Sequence, residues 1–243
     1  MINDIILSLF DESGNALRPW AEAGFVGVAY DIINDCKKEN FDNDGTIYYF
    51  NEDLSSERTV RSIFTNMRPS LVMSWSPCTD LTVAGAKHFA KKLEEDPDCQ
   101  DRAVRMARHV ETIANEFNVP WMAENPVGVL STKWRKPDAY FHPYEYAGYL
   151  PEDDEHPRYP EIIPARDIYA KKTCIWHGNG FIMPERKEIV PESLDNPGWK
   201  KLGGKSERTK RIRSEGPRGF LKAVYLANRS HVLGRYKKTF MDS

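Results

Sequence analysis

Short apolar runs recur along this chain, most of them followed by a polar stretch of helical composition. That alternation most limits how the chain can fold. "DIILSLF" (4–10) breaks at "DESGN" (11–15). A helical "ALRPWAEAGF" (16–25) leads to a second run, "VGVAYDI" (26–32), ending on Asp31 and Ile32. "GTIYYFNED" (45–53) reads as a third strand, followed by a polar helix across "SSERTVRSIFTNM". "SLVMSW" (70–75) and "VPWMAENP" (119–126) read as the fourth and fifth strands, with helices over "TVAGAKHFAKKLEE" and "CQDRAVRMARHVETIANEF" between them. Strand runs alternating with helical segments predict an α/β fold, a mostly parallel sheet with helices on both faces. "KKTCIWHG" (171–178) is a further strand, and "SEGPRGFLKAVYLANR" a capped C-terminal helix with Ser214 and Pro217 near its start.

The 243 residues are 40% hydrophobic and 12% aromatic, enough apolar material for one sizeable core. The reading is therefore a single domain over 1–243, with a Pro- and Tyr-rich irregular excursion at about 131–168. No stretch approaches the ~18 apolar residues of a membrane span, and a basic-then-apolar leader is absent, so a cytoplasmic protein is expected. The four cysteines lack paired metal-type spacing and read as reduced thiols, with no metal expected. Net charge is −2, yet residues 200–243 hold 13 Lys+Arg against 3 Asp+Glu, which leaves −12 for the first 199. A basic segment on an acidic body is a landing place for phosphate or, more plainly, a solvated helix face.

Three clusters stand where strands end, the place at which α/β folds carry ligands. In "LFDESGN" the turn glycine, Gly14, lets backbone N–H groups come close to a ligand. Asp31 and Asp53 end the next two strands, where a carboxylate can accept hydrogen bonds from a ribose diol or an adenine amine. Equally, strand-end acids and turn glycines occur without any ligand. In "SWSPCTD", Cys78 is either a small core filler or a nucleophile, and a helix beginning near Thr79–Asp80 would lower its pKa. In "AENP", Glu124 is a surface ion-pair partner or an acid placed to protonate a ring nitrogen, with Asn125 fixing its orientation.

In combination and order, these clusters resemble the DNA cytosine-5 methyltransferases, whose cofactor is S-adenosyl-L-methionine. "LF…SG", an acid after strand two, an acid after strand three, Pro-Cys after strand four and Glu-Asn after strand five follow one another. The compact form looks most like small bacteriophage and prophage members. The resemblance implies a Rossmann-like class I methyltransferase fold. It also implies that Phe10, Asp11, Ser13, Gly14 and Asn15 line the methionine end of the cofactor. Asp31 and Ile32 would hold ribose and adenine, Asp53 the adenine amine, and Ser76 and Pro77 further cofactor contacts. Cys78 would add to C6 of cytosine, with Glu124 on N3 and the exocyclic amine. Asn228, in "YLAN", would close the cofactor pocket.

Departures accompany the match. Pro-Pro-Cys-Gln of the family is Ser-Pro-Cys-Thr here, and Glu-Asn-Val is Glu-Asn-Pro. Glu12 stands where a small residue is usual. The family's Gln-x-Arg-x-Arg strand has only "ARDIYAKKT" in its place, leaving Lys171 or Lys172 to substitute for an arginine near the base. Few residues remain for a separate target-recognition domain. DNA specificity would therefore come from the excursion or from a protein partner, with Arg208, Lys210, Arg211, Arg213 and Arg218 gripping phosphates. Other acceptors for the same chemistry are a free cytosine nucleotide or an altered cofactor. The non-enzymatic alternative is a degenerate nucleic-acid-binding protein that keeps the fold.

Overall fold

The computed structural model describes residues 2–83, 89–193, 202 and 206–241. Eight strands form one sheet: β1 (Ile2–Leu9), β2 (Val26–Asp31), β3 (Lys37–Asn40), β4 (Thr46–Asn51), β5 (Met67–Ser74), β6 (Trp121–Pro126), β7 (Ala139–Phe141) and β8 (Thr173–Gly178). Their spatial order is β3-β4-β2-β1-β5-β6-β8-β7. The pairs β1–β2, β2–β4, β1–β5 and β5–β6 are parallel, while β3–β4 and β6–β8 are antiparallel. The chain builds outward from β1 to β2 and β4 on one side, then returns to build β5 and β6 on the other. The order therefore reverses between β1 and β5, and a crevice at such a reversal is where open α/β sheets bind ligands.

The central strands are near-continuous apolar runs because both faces are covered. Leu7, Leu9 and Val28 pack in one core with Val104, Ala107, Val110 and Ile113 of α4 (Cys99–Phe117) and Val60 and Ile63 of α2 (Glu57–Asn66). Gly27, next to Val28 and so on the other face, faces the start of α1 (Arg18–Ala21), where a Cβ added to it would lie 3.1 Å from the Leu17 side chain. The expected helix over 16–25 is a single turn, ended by Gly24 at φ 91°. A side chain there would be strained. The sequence also missed β3: "KKEN" has no apolar alternation because it is a charged edge strand. Among the described residues, no helix is long and apolar enough to cross a membrane.

The excursion is more than an irregular loop. The chain divides into two compact units: Met1–Tyr140, Thr173–Phe181 and His231–Ser243 form the first, and Phe141–Lys172 with Ile182–Ser230 the second. The sequence reading had one domain over 1–243, with residues 131–168 as an irregular insertion. The second unit has its own core, in which Ile162, Ile163, Tyr169, Leu202 and Ile212 cluster. Phe141 stacks on Phe220 at 4.2 Å, with Tyr146 edge-on to both. Ile162, Ile163 and Tyr169 lie in or just past the Pro- and Tyr-rich excursion, outside any helix or strand period, so no predicted element carried them. The C-terminal segment forms two helices, Glu207–Ser214 and Arg218–Met241, the first capped by Ser206 Oγ accepting from Thr209 N.

His156 is buried in the second unit, with Nδ1 accepting from the backbone N–H of Arg158 and Tyr159. Burial, then the charges of Arg218 and Arg158, pushes its pKa down to about 4, with Asp154 and Glu161 opposing. The unfolded chain thus binds a proton that the folded chain refuses between about pH 6.5 and 4, and stability falls as pH drops through that window. Chemical denaturation at pH 7 and pH 4.5 should show this loss. In His156→Gln the pH dependence over the window should flatten. An unchanged slope in that variant would remove His156 as its source.

Candidate active site

All three strand-end clusters lie at the carboxyl edge of the parallel strands in the first unit. The first is a closed turn organised by Asp11, which is buried at 5% exposure. Its Oδ2 accepts from Ser8 Oγ at 2.8 Å, and its Oδ1 from Gly14 N at 2.7 Å and Ser13 Oγ at 3.1 Å. Burial pushes the Asp11 carboxyl up, and these donors pull it back toward ionisation. Asn15 N donates to Ser13 Oγ, and Asp11 N donates to Tyr30 O on β2. Phe10 completes the turn with φ 58°, a left-handed conformation costing a bulky residue about 1–3 kcal/mol.

Gly14 is required, but not for the expected reason. A Cβ there would lie 2.2 Å from Tyr49 Oη, and that hydroxyl donates to Glu39. The room next to Gly14 is taken by Tyr49, and its N–H by Asp11. The sequence reading had Gly14 and Asp11 lining the methionine end of a cofactor; in the structure the two bond to each other and shape the turn.

The second cluster joins β2 to β4. Asp31 stands opposite Asn51, and Glu52 N donates to Asp31 O at 3.2 Å. Asp31 Oδ1 accepts from Ile33 N. Burial pushes its carboxyl up, opposed by that bond and reinforced by the charges of Glu12 and Asp11. Ile32 and Ile33 follow at 59% and 53% exposure, an apolar shelf beside two carboxylates. Ile33 is an addition to the residues read from sequence. Its signal was an apolar residue continuing past the end of a strand. Asn51 Nδ2 holds the shelf by donating to Ile32 O at 2.9 Å. Asp53 is exposed, and its bonds from Ser55 hold its carboxyl below the usual range.

The third cluster brings Ser-Pro-Cys and Glu-Asn-Pro together. Asn125 is buried and donates both to Ser76 O at 2.9 Å and to Ser76 Oγ at 3.3 Å, while its Oδ1 has no partner among the described residues. Asn125 therefore clasps Ser76, where the sequence reading had it orienting Glu124. Beyond Cys78 the two loops continue to pair: Val83 N donates to Val127 O, and Val129 N to Leu81 O. Cys78 is half-buried, so it is not a core filler, and its carbonyl accepts from Leu81 N and Thr82 N. Those bonds make residues 79–81 a turn. The helix expected to start at Thr79–Asp80 is absent there, and the described helix, α3 (Phe89–Glu95), begins later. A cation from α3 takes its place beside the loop. Lys92 Nζ donates to Thr79 O at 3.1 Å and pairs with Asp80. Glu124 is half-buried on β6, opposite Ile175 of β8.

A cavity of about 80 Å³ is lined by Pro77, Asp80, Cys99, Arg102, Ala103 and Met106. It is too small for a nucleoside, since ligand pockets run to roughly 300 Å³ or more.

The residues expected from the rest of the chain fall in the second unit. Asn228 is fully buried: Oδ1 accepts from Ile182 N, and Nδ2 donates to Ile182 O and Val224 O. Both polar atoms of that side chain are engaged within the fold, where the sequence reading had it closing a cofactor pocket. Lys171 Nζ donates to Arg213 O, and Lys172 is exposed. Arg208, Lys210, Arg211 and Arg213 are exposed on one helix, where Arg208 pairs with Glu161 and Lys210 with Glu207. Arg218 does not belong with them. Its side chain is 16% exposed and held by Asp154 and Asp167. It is a structural ion, because its fork already faces two carboxylates.

Compared with known proteins, the chain matches no protein-family model and no curated protein.

Proposed function

We propose that this protein transfers a methyl group from S-adenosyl-L-methionine to C5 of cytosine in DNA, with Cys78 as nucleophile. The observation that carries the reading is the pairing of the Ser-Pro-Cys and Glu-Asn-Pro loops at the carboxyl edge, beside the sheet's point of reversal. A half-buried thiol and a half-buried carboxyl are thereby presented from neighbouring parallel strands. The fold supports the class I methyltransferase reading at the level of a mostly parallel sheet with a crevice between β1 and β5.

The cofactor would rest with its adenine on the Ile32–Ile33 shelf and its ribose hydroxyls toward Asp31, with Asp53 near the adenine amine. The Asp11-centred turn fits a shaping role there, the methionine end then meeting the exposed parts of Ser13 and Asn15. When bound, the cofactor supplies the electrophilic methyl group. Cys78 adds as thiolate to C6 of cytosine, and Glu124 holds a proton at N3, so that charge pushed into the ring is stabilised and C5 becomes nucleophilic. After C5 has taken the methyl group, its proton leaves, the Cys78–C6 bond breaks and the ring regains aromaticity. Within a duplex the base must first leave the stack, at a cost of a few kcal/mol.

Tyr49 filling the space at Gly14 favours one variant of this reading, the same C5 chemistry with an altered cofactor. Mass spectrometry of the modified base separates the two. Comparing dCMP with duplex DNA as acceptor separates a nucleotide substrate from a polymer.

The exposed cations Arg208, Lys210, Arg211 and Arg213 would meet phosphates, exchanging weak surface pairs for stronger ones. Neutralising Arg211 and Arg213 together should weaken DNA binding and lower the slope of log K against log salt by about 2. Salt-titrated fluorescence anisotropy measures this. An unchanged slope would move the phosphate contact elsewhere.

A further inference from the structure

Trp75 stands one residue past β5 and three before Cys78. Its backbone N–H donates to Leu9 O at 3.0 Å, extending the contact between β5 and β1 by one rung. Its indole Nε1 donates to Ser8 Oγ at 3.1 Å. Ser8, one residue before the end of β1, is completely buried, where an unpaired hydroxyl would be costly. A serine hydroxyl has one proton to give, and this one goes to Asp11 Oδ2 at 2.8 Å. The donors thus run one way, from indole to hydroxyl to carboxylate, and each bond polarises the next. The other oxygen of Asp11 holds Gly14 N and Ser13 Oγ, which fix the turn containing the strained Phe10.

We propose that Trp75 and Ser8 are positioning residues that join the first loop to the Cys78 loop as one hydrogen-bonded unit, so that a ligand seated on either loop alters the other. The identity of that ligand, the adenosyl cofactor, rests on the methyltransferase reading; the coupling does not. The physical ground is that the two loops flank the crevice at the sheet's point of reversal and share one buried chain of donors. A ligand that shifts the turn around Gly14 turns the Asp11 carboxylate, which changes the acceptor offered to Ser8 and hence the seat of the Trp75 ring. Linkage makes the effect reciprocal: what Cys78 engages must bias the first loop to the same degree.

The coupling is tested without any ligand. In Trp75→Phe, which keeps an aromatic ring and removes the N–H, amide exchange at Gly14 should speed up about ten-fold or more. In Ser8→Ala, alkylation of Cys78 by iodoacetamide should change about three-fold or more, read on the Cys78 peptide by mass spectrometry to separate it from exposed Cys36. The double variant should do no more than the larger single one, because both break one chain. A purely structural role would instead give multiplied effects. Unchanged Gly14 exchange together with unchanged Cys78 alkylation, or multiplied effects in the double variant, overturns the proposal. A second arm measures S-adenosylhomocysteine by calorimetry, with each single variant expected to bind about three- to ten-fold more weakly. If wild type fails to bind it while the cross-loop effects persist, the methyltransferase reading falls and the coupling stands.

Discussion

Cys78→Ser should abolish covalent trapping by DNA containing 5-fluorocytosine and lower methyl transfer by on the order of 10³-fold or more. A fluorine at C5 cannot leave as a proton does, so a true C6 adduct that has accepted its methyl group stays bound through sulfur. Serine keeps the size and the turn but is a far weaker nucleophile at neutral pH. The thiol is half-buried at a turn whose carbonyl is satisfied by Leu81 and Thr82, so the substitution leaves the fold alone. Glu124→Gln provides the companion measurement. It keeps a hydrogen-bond donor but removes the proton held at N3, and should cost about 10²- to 10⁴-fold. Labelled S-adenosylmethionine and a denaturing gel read both. A Cys78→Ser protein that still forms the adduct, or still methylates at the wild-type rate, ends the proposed mechanism.

The largest effect on stability is expected at Arg218. Its guanidinium donates to both oxygens of Asp154, at 2.9 and 2.7 Å, and to Asp167 Oδ1, while its backbone N–H also donates to Asp167. Asp167 is almost fully buried, and burial pushes its carboxyl up against the pull of Arg218. Removing the cation leaves two carboxylates without a counter-charge, each keeping a backbone donor, from Arg166 N to Asp154 and from Arg218 N to Asp167. Arg218→Met should therefore destabilise the protein by about 3–5 kcal/mol, measured by urea denaturation. Adding Asp154→Asn and Asp167→Asn should recover part of the loss, since the stranded charge is the cost. A loss below ~1 kcal/mol would show that the triad is solvated and that Arg218 is available for other partners.

The partners of Arg218, read from sequence as a phosphate contact, were hidden for a reason that generalises. Along the sequence it is one of a run of cations near the C-terminus, indistinguishable from Arg213 five residues earlier. What separates them is Asp154 and Asp167, more than fifty residues away, and no local pattern announces such partners. The long-range partner of Asn228 was hidden in the same way, since it is the backbone of Ile182. Asn125 was read as orienting Glu124, yet its hydrogen bonds go to Ser76 beyond the neighbouring strand. The helix placed at Thr79–Asp80 failed locally. Residues 79–81 form a turn instead, closed by the Cys78 carbonyl, and Leu81 and Val83 pair with the 127–129 loop.

Sequence by itself determined the strands β1, β2, β4, β5, β6 and β8, the helices α2 and α4, and the grouping of Asp11, Asp31, Asp53, Cys78 and Glu124 at strand ends. It could do so because burial on both faces demands continuous apolar runs, and polar residues then mark where each run leaves the core. Tertiary structure alone decided which of those polar residues face outward with chemistry to offer and which are consumed by the fold. Asp11 and Gly14 shape a turn, Asn228 and Arg218 hold the second unit, and Cys78 and Glu124 are half-buried beside neighbouring loops. That division depends on partners distant in sequence. A buried polar group must find its hydrogen bonds wherever the packed chain supplies them, and only the assembled fold says where that is.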